Sequence, residues 1–227
     1  MIDPETAFSR LHAQADPARA AEMRAYHKVD RIYLGLSNPQ IDALVAEWRA
    51  VCSVEERVAL AGALWASDIH EAMIAAAKLL TQARLRPDAA AWALIANWAE
   101  GFLGWAVADT AAAAGSRRLV ADPSRLDQVE GWTQHPNMFT RRAALVMTLP
   151  WARLNHPKEA DLAIRERVLG WAALYADDRD WFIQKAVGWW LRDLSKHDAD
   201  RTRAWIADHG DRLKPFARKE ALRLLPA

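Results

Sequence analysis

A single cysteine in 227 residues, Cys52, rules out an intramolecular disulfide and any Cys-rich zinc site, and it fits a reducing, cytoplasmic location. No apolar run reaches the ~18 residues of a membrane span, because charges interrupt every candidate. The opening MIDPETAFSR has neither the basic nor the apolar stretch of a secretory signal. No segment alternates apolar and polar residues with β-branched enrichment over a strand's length. The phosphate-loop patterns GxGxxG and GxxxxGK, the zinc pattern HExxH and the nucleophile elbow GxSxG are all missing. The seven histidines are scattered, so neither a metal nor a cofactor is expected. Any catalysis must then work by positioning and electrostatics.

What is abundant is alanine, leucine and helix punctuation. The chain is 52% hydrophobic, enough to bury a core, and the periodicity predicts an all-α protein. Asp-Pro starts occur at Asp3, Asp16 and Asp122, where aspartate caps and proline takes the first helical position. Asn38-Pro39 and His156-Pro157 read the same way, and Ser53 to Glu56 forms a capping box. These starts predict about eleven or twelve helices. Trp132, Trp151, Trp171 and Trp190 recur at intervals of 19 to 20 residues. One helix and turn per interval gives a helical pair per ~40 residues, the period of HEAT-type repeats. The expectation is therefore a single domain, residues 1–227, built as a HEAT-like solenoid of antiparallel helical pairs with a concave face. A large α-bundle is the alternative.

The net charge of +1 hides an asymmetry. Residues 1–136 hold 13 Lys+Arg against 17 Asp+Glu, and residues 137–227 hold 17 against 12. A basic second half suits a polyanion, or is merely a solvated face.

Three helices carry side chains that break the core pattern. In FIQKAVGWWLRDLSK (182–196), Phe182, Ile183, Ala186, Val187, Trp190, Leu191 and Leu194 fill one half of a helical wheel. Trp190 belongs to the core, whereas Trp189 falls at the edge beside Lys185 and Arg192. It is either a packing residue with snorkelled neighbours or part of an anion-facing surface. In GFLGWAVADTAAAA (101–114), an arc of Phe102, Leu103, Ala106, Val107, Thr110, Ala111 and Ala114 leaves Trp105 and Asp109 stacked just outside it. In MFTRRAALVMTL (138–149), Arg142 projects from inside the apolar arc while Arg141 points away; it needs a buried salt bridge or a ligand. Indoles attract cations, a carboxylate stabilises positive charge, and arginine grips phosphate. The set suits a cationic or sugar-phosphate ligand if the fold brings these edges together.

These segments resemble the DNA alkylation repair family of HEAT-like glycosylases, the AlkD type. FIQKA-x-GW-x-LR carries the resemblance most specifically, and KPFARKEALRLL, MFTRRAAL and MRAYHKVDRIYLGLSNPQ extend it in order over nearly the whole chain. The resemblance implies a monofunctional enzyme that hydrolyses the glycosidic bond of N7- or N3-alkylated purines in duplex DNA and leaves an abasic site. It implies catalytic roles for Asp109, Trp105 and Trp189, with Tyr26 and Arg142 contacting DNA; Lys185 and Arg192, beside Trp189 on the wheel, are expected to contact phosphates with them. It further implies a monomer that needs no membrane, metal or cofactor, and a lesion processed within the duplex. Family members often carry a tryptophan and an acid where this chain has Gly104 and Ala106, which makes the surface around the lesion looser or less acidic. Some relatives only bind branched DNA, so a non-catalytic DNA-binding module or a protein-interaction scaffold stands as the alternative.

Overall fold

Aspartate and serine set the helix starts. In a computed structural model describing residues 2–225, Asp3 accepts from the Thr6 amide at 2.8 Å, and Asp16 accepts from Ala18 and Arg19 at 3.0 and 3.1 Å. Each satisfies amides that a first helical turn leaves unpaired. The Ser53–Glu56 capping box is present in both directions. Two starts differ from the sequence reading. Ser37, not Asn38, is the cap of its helix, because Gln40 completes a capping box with it. His156-Pro157 lies in a turn, and the helix begins at Glu159, where Asp161 accepts from the Lys158 amide at 2.9 Å.

Two compact units divide the chain, residues 1–121 and 122–227. The first holds α1 (Pro4–His12), α2 (Pro17–His27), α3 (Asn38–Val51), α4 (Val54–Ala66), α5 (His70–Leu79), α6 (Ala89–Ala99) and α7 (Trp105–Ala121). The second holds α8 (Leu126–Gly131), α9 (Met138–Met147), α10 (Leu149–Ala152), α11 (Glu159–Leu174), α12 (Trp181–Ser195), α13 (Ala199–His209) and α14 (Pro215–Leu222). Among the described residues there is no strand, only an isolated bridge between Ile32 and Ile69. The fold is all-α. The fourteen α-helices among the described residues exceed the expected eleven or twelve because α8 and α10, of six and four residues, are too short to show a helical period.

Within the first unit α5 is the hub, packing against α3, α4 and α7; in the second, α12 packs against α9, α13 and α14. The four periodic tryptophans are all buried, so their spacing does report the core. The even interval does not correspond to one helix each: Trp132 sits in a 3-10 turn and Trp151 in the short α10.

The approach of α12 to α14 depends on Gly188, where an added Cβ would lie 2.9 Å from the Ala217 carbonyl oxygen. Gly170, inside α11, has nothing within 4 Å. Gly188→Ala should therefore destabilise the protein by roughly 1–3 kcal/mol. Gly170→Ala should be neutral or stabilise by up to about 1 kcal/mol. Urea unfolding followed by tryptophan fluorescence distinguishes the two, and equal effects would refute the close-packing argument.

Candidate functional site

The helix that carries Trp105 starts later than its sequence pattern implies. Gly104 has φ +79°, a left-handed conformation that ends the preceding turn, so α7 begins at Trp105 itself. Phe102 and Leu103 precede the helix; Phe102 is buried as expected, but Leu103 is exposed. An added Cβ at Gly104 would stand 2.7 Å from Val29 Cγ2, and the positive φ itself strains any other residue there.

Trp105 and Asp109, one turn apart and half-buried, face a cleft of about 720 Å³ between α7 and helices α2, α3 and α5. Tyr26, from the end of α2, is exposed and meets Trp105 edge-on at 6.1 Å and 84°. His27 packs 5.5 Å from the same indole. Behind it, His70 lies 4.6 Å from His27 and stacks on Tyr33 at 4.9 Å.

The backing of this wall is a buried carboxylate. Glu71, wholly inaccessible at the start of α5, accepts from the Leu34 and Gly35 amides at 2.9 and 2.7 Å. Gly35 has φ +88°, and a Cβ there would fall 2.2 Å from the Asp16 carbonyl oxygen, so the turn accepts only glycine. The bond from the Asp16 amide to Leu34 O at 2.8 Å then ties the start of α2 to the same turn. Burial disfavours the charged form of both imidazoles: it pushes His70 down to about 3, aided by His27 and Arg31, and it lowers His27 in the same direction. Burial likewise raises the Tyr33 phenol. His27, Tyr33, His70 and Glu71 were not singled out by the sequence reading. The signal available for them was "IHE" at 69–71, where the helix start has no side-chain cap and the Glu is thus free for another task.

In the second unit the residues of FIQKAVGWWLR divide by face. Gln184, fully buried, donates to the carbonyls of Tyr175, Ala176 and Asp178 and accepts from the Lys214 amide at 2.8 Å. Trp190 is inaccessible, and Trp189 is half-buried. The Lys185 ammonium lies 5.2 Å from the Trp189 ring and 4.5 Å from that of Trp181, with the three residues on one helical stripe. Arg142, from α9, is buried, donates to the Phe182 carbonyl at 2.6 Å and approaches the Trp189 ring to 4.9 Å. Trp189 thus receives two cations, each contact worth on the order of 1 kcal/mol. Arg192 belongs to a different set: it donates to Asp193 at 2.9 and 3.0 Å and pairs with Glu220. Trp181, which sequence reasoning passed over, is exposed and stacks on Phe216 at 5.8 Å. Its spacing of four from Lys185 and eight from Trp189 was the available clue.

The structure therefore groups Tyr26, Trp105 and Asp109 in one unit and Arg142, Lys185 and Trp189 in the other, and it directs Arg192 to α14's carboxylate. Residues 8–225 match the DNA alkylation repair enzyme family. The chain belongs to that family. Its fold is shared with a predicted DNA alkylation repair enzyme from Enterococcus faecalis, with a TM-score of 0.76 at 22% identity over 93% of this chain and 97% of that one. AlkD2 from Streptococcus mutans superposes with a TM-score of 0.63 at 18% identity, covering 92% of this chain and 98% of that one. Comparison with curated proteins finds no match.

The buried His70 makes the stability of the protein dependent on pH. His70 binds its proton in the unfolded chain below about 6.5 but in the folded state only near 3, so the unfolded state holds more protons between those values. The sign follows: this contribution is complete above about 6.5 and is lost as pH falls, with a slope approaching ~1.4 kcal/mol per pH unit. His70→Phe keeps a ring against Tyr33 and removes the proton. From pH 7.5 to 5, urea unfolding should show the wild type losing stability more steeply than His70→Phe, and parallel curves would overturn the assignment.

Proposed function

We propose that this repair-family protein is a DNA glycosylase that excises cationic N7- or N3-alkylated purines from duplex DNA. The observation that carries the reading is the Trp105–Asp109 pair on one turn of α7, beside Tyr26 in an open cleft. Alkylation at N7 or N3 gives the purine a formal positive charge. As the C1′–N9 bond electrons move onto that purine it leaves neutral, and the deoxyribose acquires oxocarbenium character. For purines the bond broken is C1′–N9. Asp109 stabilises that developing cation and orients the water that adds to C1′, releasing a proton and leaving an abasic site. Trp105 and Tyr26 present π faces and edges to the sugar, and no group in this set is an amine that would form a covalent intermediate.

Trp189 with Arg142 and Lys185 serves as a DNA-contacting surface of the second unit, through phosphate contacts that position without reading sequence. Arg192 acts indirectly in this reading. Its pairing with Asp193 and Glu220 holds α12 against α14 and so steadies Trp189.

The test is release of methylated purine from duplex DNA containing N7-methylguanine, compared with spontaneous loss. Asp109→Asn should lower the single-turnover rate by about 10²–10³ and leave affinity for undamaged duplex nearly unchanged. Release by the wild type alone supports the glycosylase. Equal release by wild type and Asp109→Asn removes Asp109 from the chemistry. No release by either leaves a family member that binds DNA without cutting the glycosidic bond, and a preference for junctions over linear duplex would identify it.

A further inference from the structure

The cleft that holds Trp105 and Asp109 continues well past them. His70, packed against His27 at the Trp105 end, is the first residue of α5; Lys78 lines the same cleft eight residues further on, about 12 Å along the axis. Asp42 and Arg49, seven residues apart on α3, also line it, as does Thr81 just beyond α5. The two ends differ in chemistry. Aromatic rings, the His27 and His70 imidazoles and Asp109 surround one, whereas Lys78 and Arg49 give the other its positive charge.

At the second end the charges are unevenly matched. Lys78 Nζ lies 2.6 Å from Asp42 Oδ1, so that lysine is already neutralised by a carboxylate. Arg49 is half-buried in the cleft wall, and no carboxylate among the described residues pairs with its guanidinium. Its backbone is fixed rather than free: Arg57 donates to the Arg49 carbonyl at 2.7 Å and to the Cys52 carbonyl at 2.9 Å, and it also binds the Gln82 side chain next to Thr81. A third cation therefore clamps the end of α3 to the segment after α5. A partly desolvated guanidinium without a counter-charge, supported on a clamped helix end, is poised for an anion.

We infer that Arg49, with Lys78, forms a phosphodiester-binding subsite for the DNA strand at this end of the cleft. Nothing in the sequence patterns singled out these residues. The inference rests on the DNA-repair reading of the cleft and specifies how the strand continues beyond the sugar addressed by Asp109. The Asp42 carboxylate opposes the bound phosphate and moderates its affinity by holding Lys78. The subsite reads no base, so it contributes equally to damaged and undamaged duplex.

The experiment is the salt dependence of binding to an undamaged linear duplex, measured by fluorescence anisotropy between 50 and 200 mM salt. Each neutralised phosphate contributes a slope of about −0.9 in log K against log salt. Arg49→Gln should weaken binding and make the slope shallower by about 0.9, equivalent to a roughly threefold smaller loss of affinity over that range. Asp42→Asn should do the opposite, because it frees Lys78; a gain in affinity cannot come from misfolding. Arg10→Gln, whose cation is already paired with Glu47, is the control and should leave the slope unchanged.

Opposite shifts for Arg49→Gln and Asp42→Asn establish the subsite, whether or not base release is seen. Wild-type slopes in both variants overturn it, even if Asp109→Asn abolishes base release. Absence of any binding to duplex by the wild type overturns both the subsite and the glycosylase.

Discussion

The geometry of the first unit depends on one buried carboxylate. Glu71 has no access to solvent, and its two oxygens serve the amides of Leu34 and Gly35. Without it those amides would be buried without partners, each costing about 1–3 kcal/mol. The turn they belong to ties down the start of α2, through the Asp16 amide, and leads into α3. Tyr26 and His27 at the end of α2, and Asp42 and Arg49 on α3, take their places on the cleft from that turn. Gly35 is the complementary constraint, since its Cβ would collide with the Asp16 carbonyl that the same turn brings in. The exposed groups that face the cleft are thus positioned by groups that never see it.

In the second unit α12 does the comparable work with its own two faces. Gln184 fills every hydrogen-bonding site on its amide that is needed to fix the turn before the helix and the start of α14. Gly188 lets α14 approach to backbone contact, and Trp190 fills the interior. The stripe of Trp181, Lys185 and Trp189 emerges on the remaining surface because three inward demands occupy the other positions. A helix this constrained carries its exposed indoles in fixed orientations, which lowers the conformational entropy lost when they engage a ligand.

How far the sequence carried the reading follows from the range of each interaction. Helical periodicity separated Trp190 from Trp189, and Trp105 from its buried neighbours, because both distinctions are local to one helix. It also marked Arg142 as an exception. It placed the start of α7 three residues early because Gly104's left-handed backbone has no periodic signature. It said nothing of Glu71, whose amide partners lie 36 and 37 residues away, of His70, which meets His27 and Tyr33 from other segments, or of Arg49, whose place on the cleft depends on other helices. Arg192 shows the limit most clearly. On a helical wheel it stands beside Trp189, but Glu220, 28 residues later, claims its guanidinium.

Arg192 is one instance of a wider pattern that changes the meaning of the charge asymmetry. The second half's surplus of cations suggests a basic surface, yet many of its arginines are spent internally. Arg153 is held by Asp193, Arg167 by Asp127 and Glu130, Arg201 by Glu166, and Arg212 by Asp177. Such pairs are largely neutral at a distance and contribute little field to steer a polyanion. Lys185, by contrast, has indole rings for neighbours, and a quadrupole leaves a cation's net charge in place. Arg49, in the acidic half, has no carboxylate partner among the described residues either. The cations available to DNA are therefore selected by what surrounds them and not by which half of the chain encodes them. A count of charged residues locates the surplus; only the packing decides which members of it still face outward as charges.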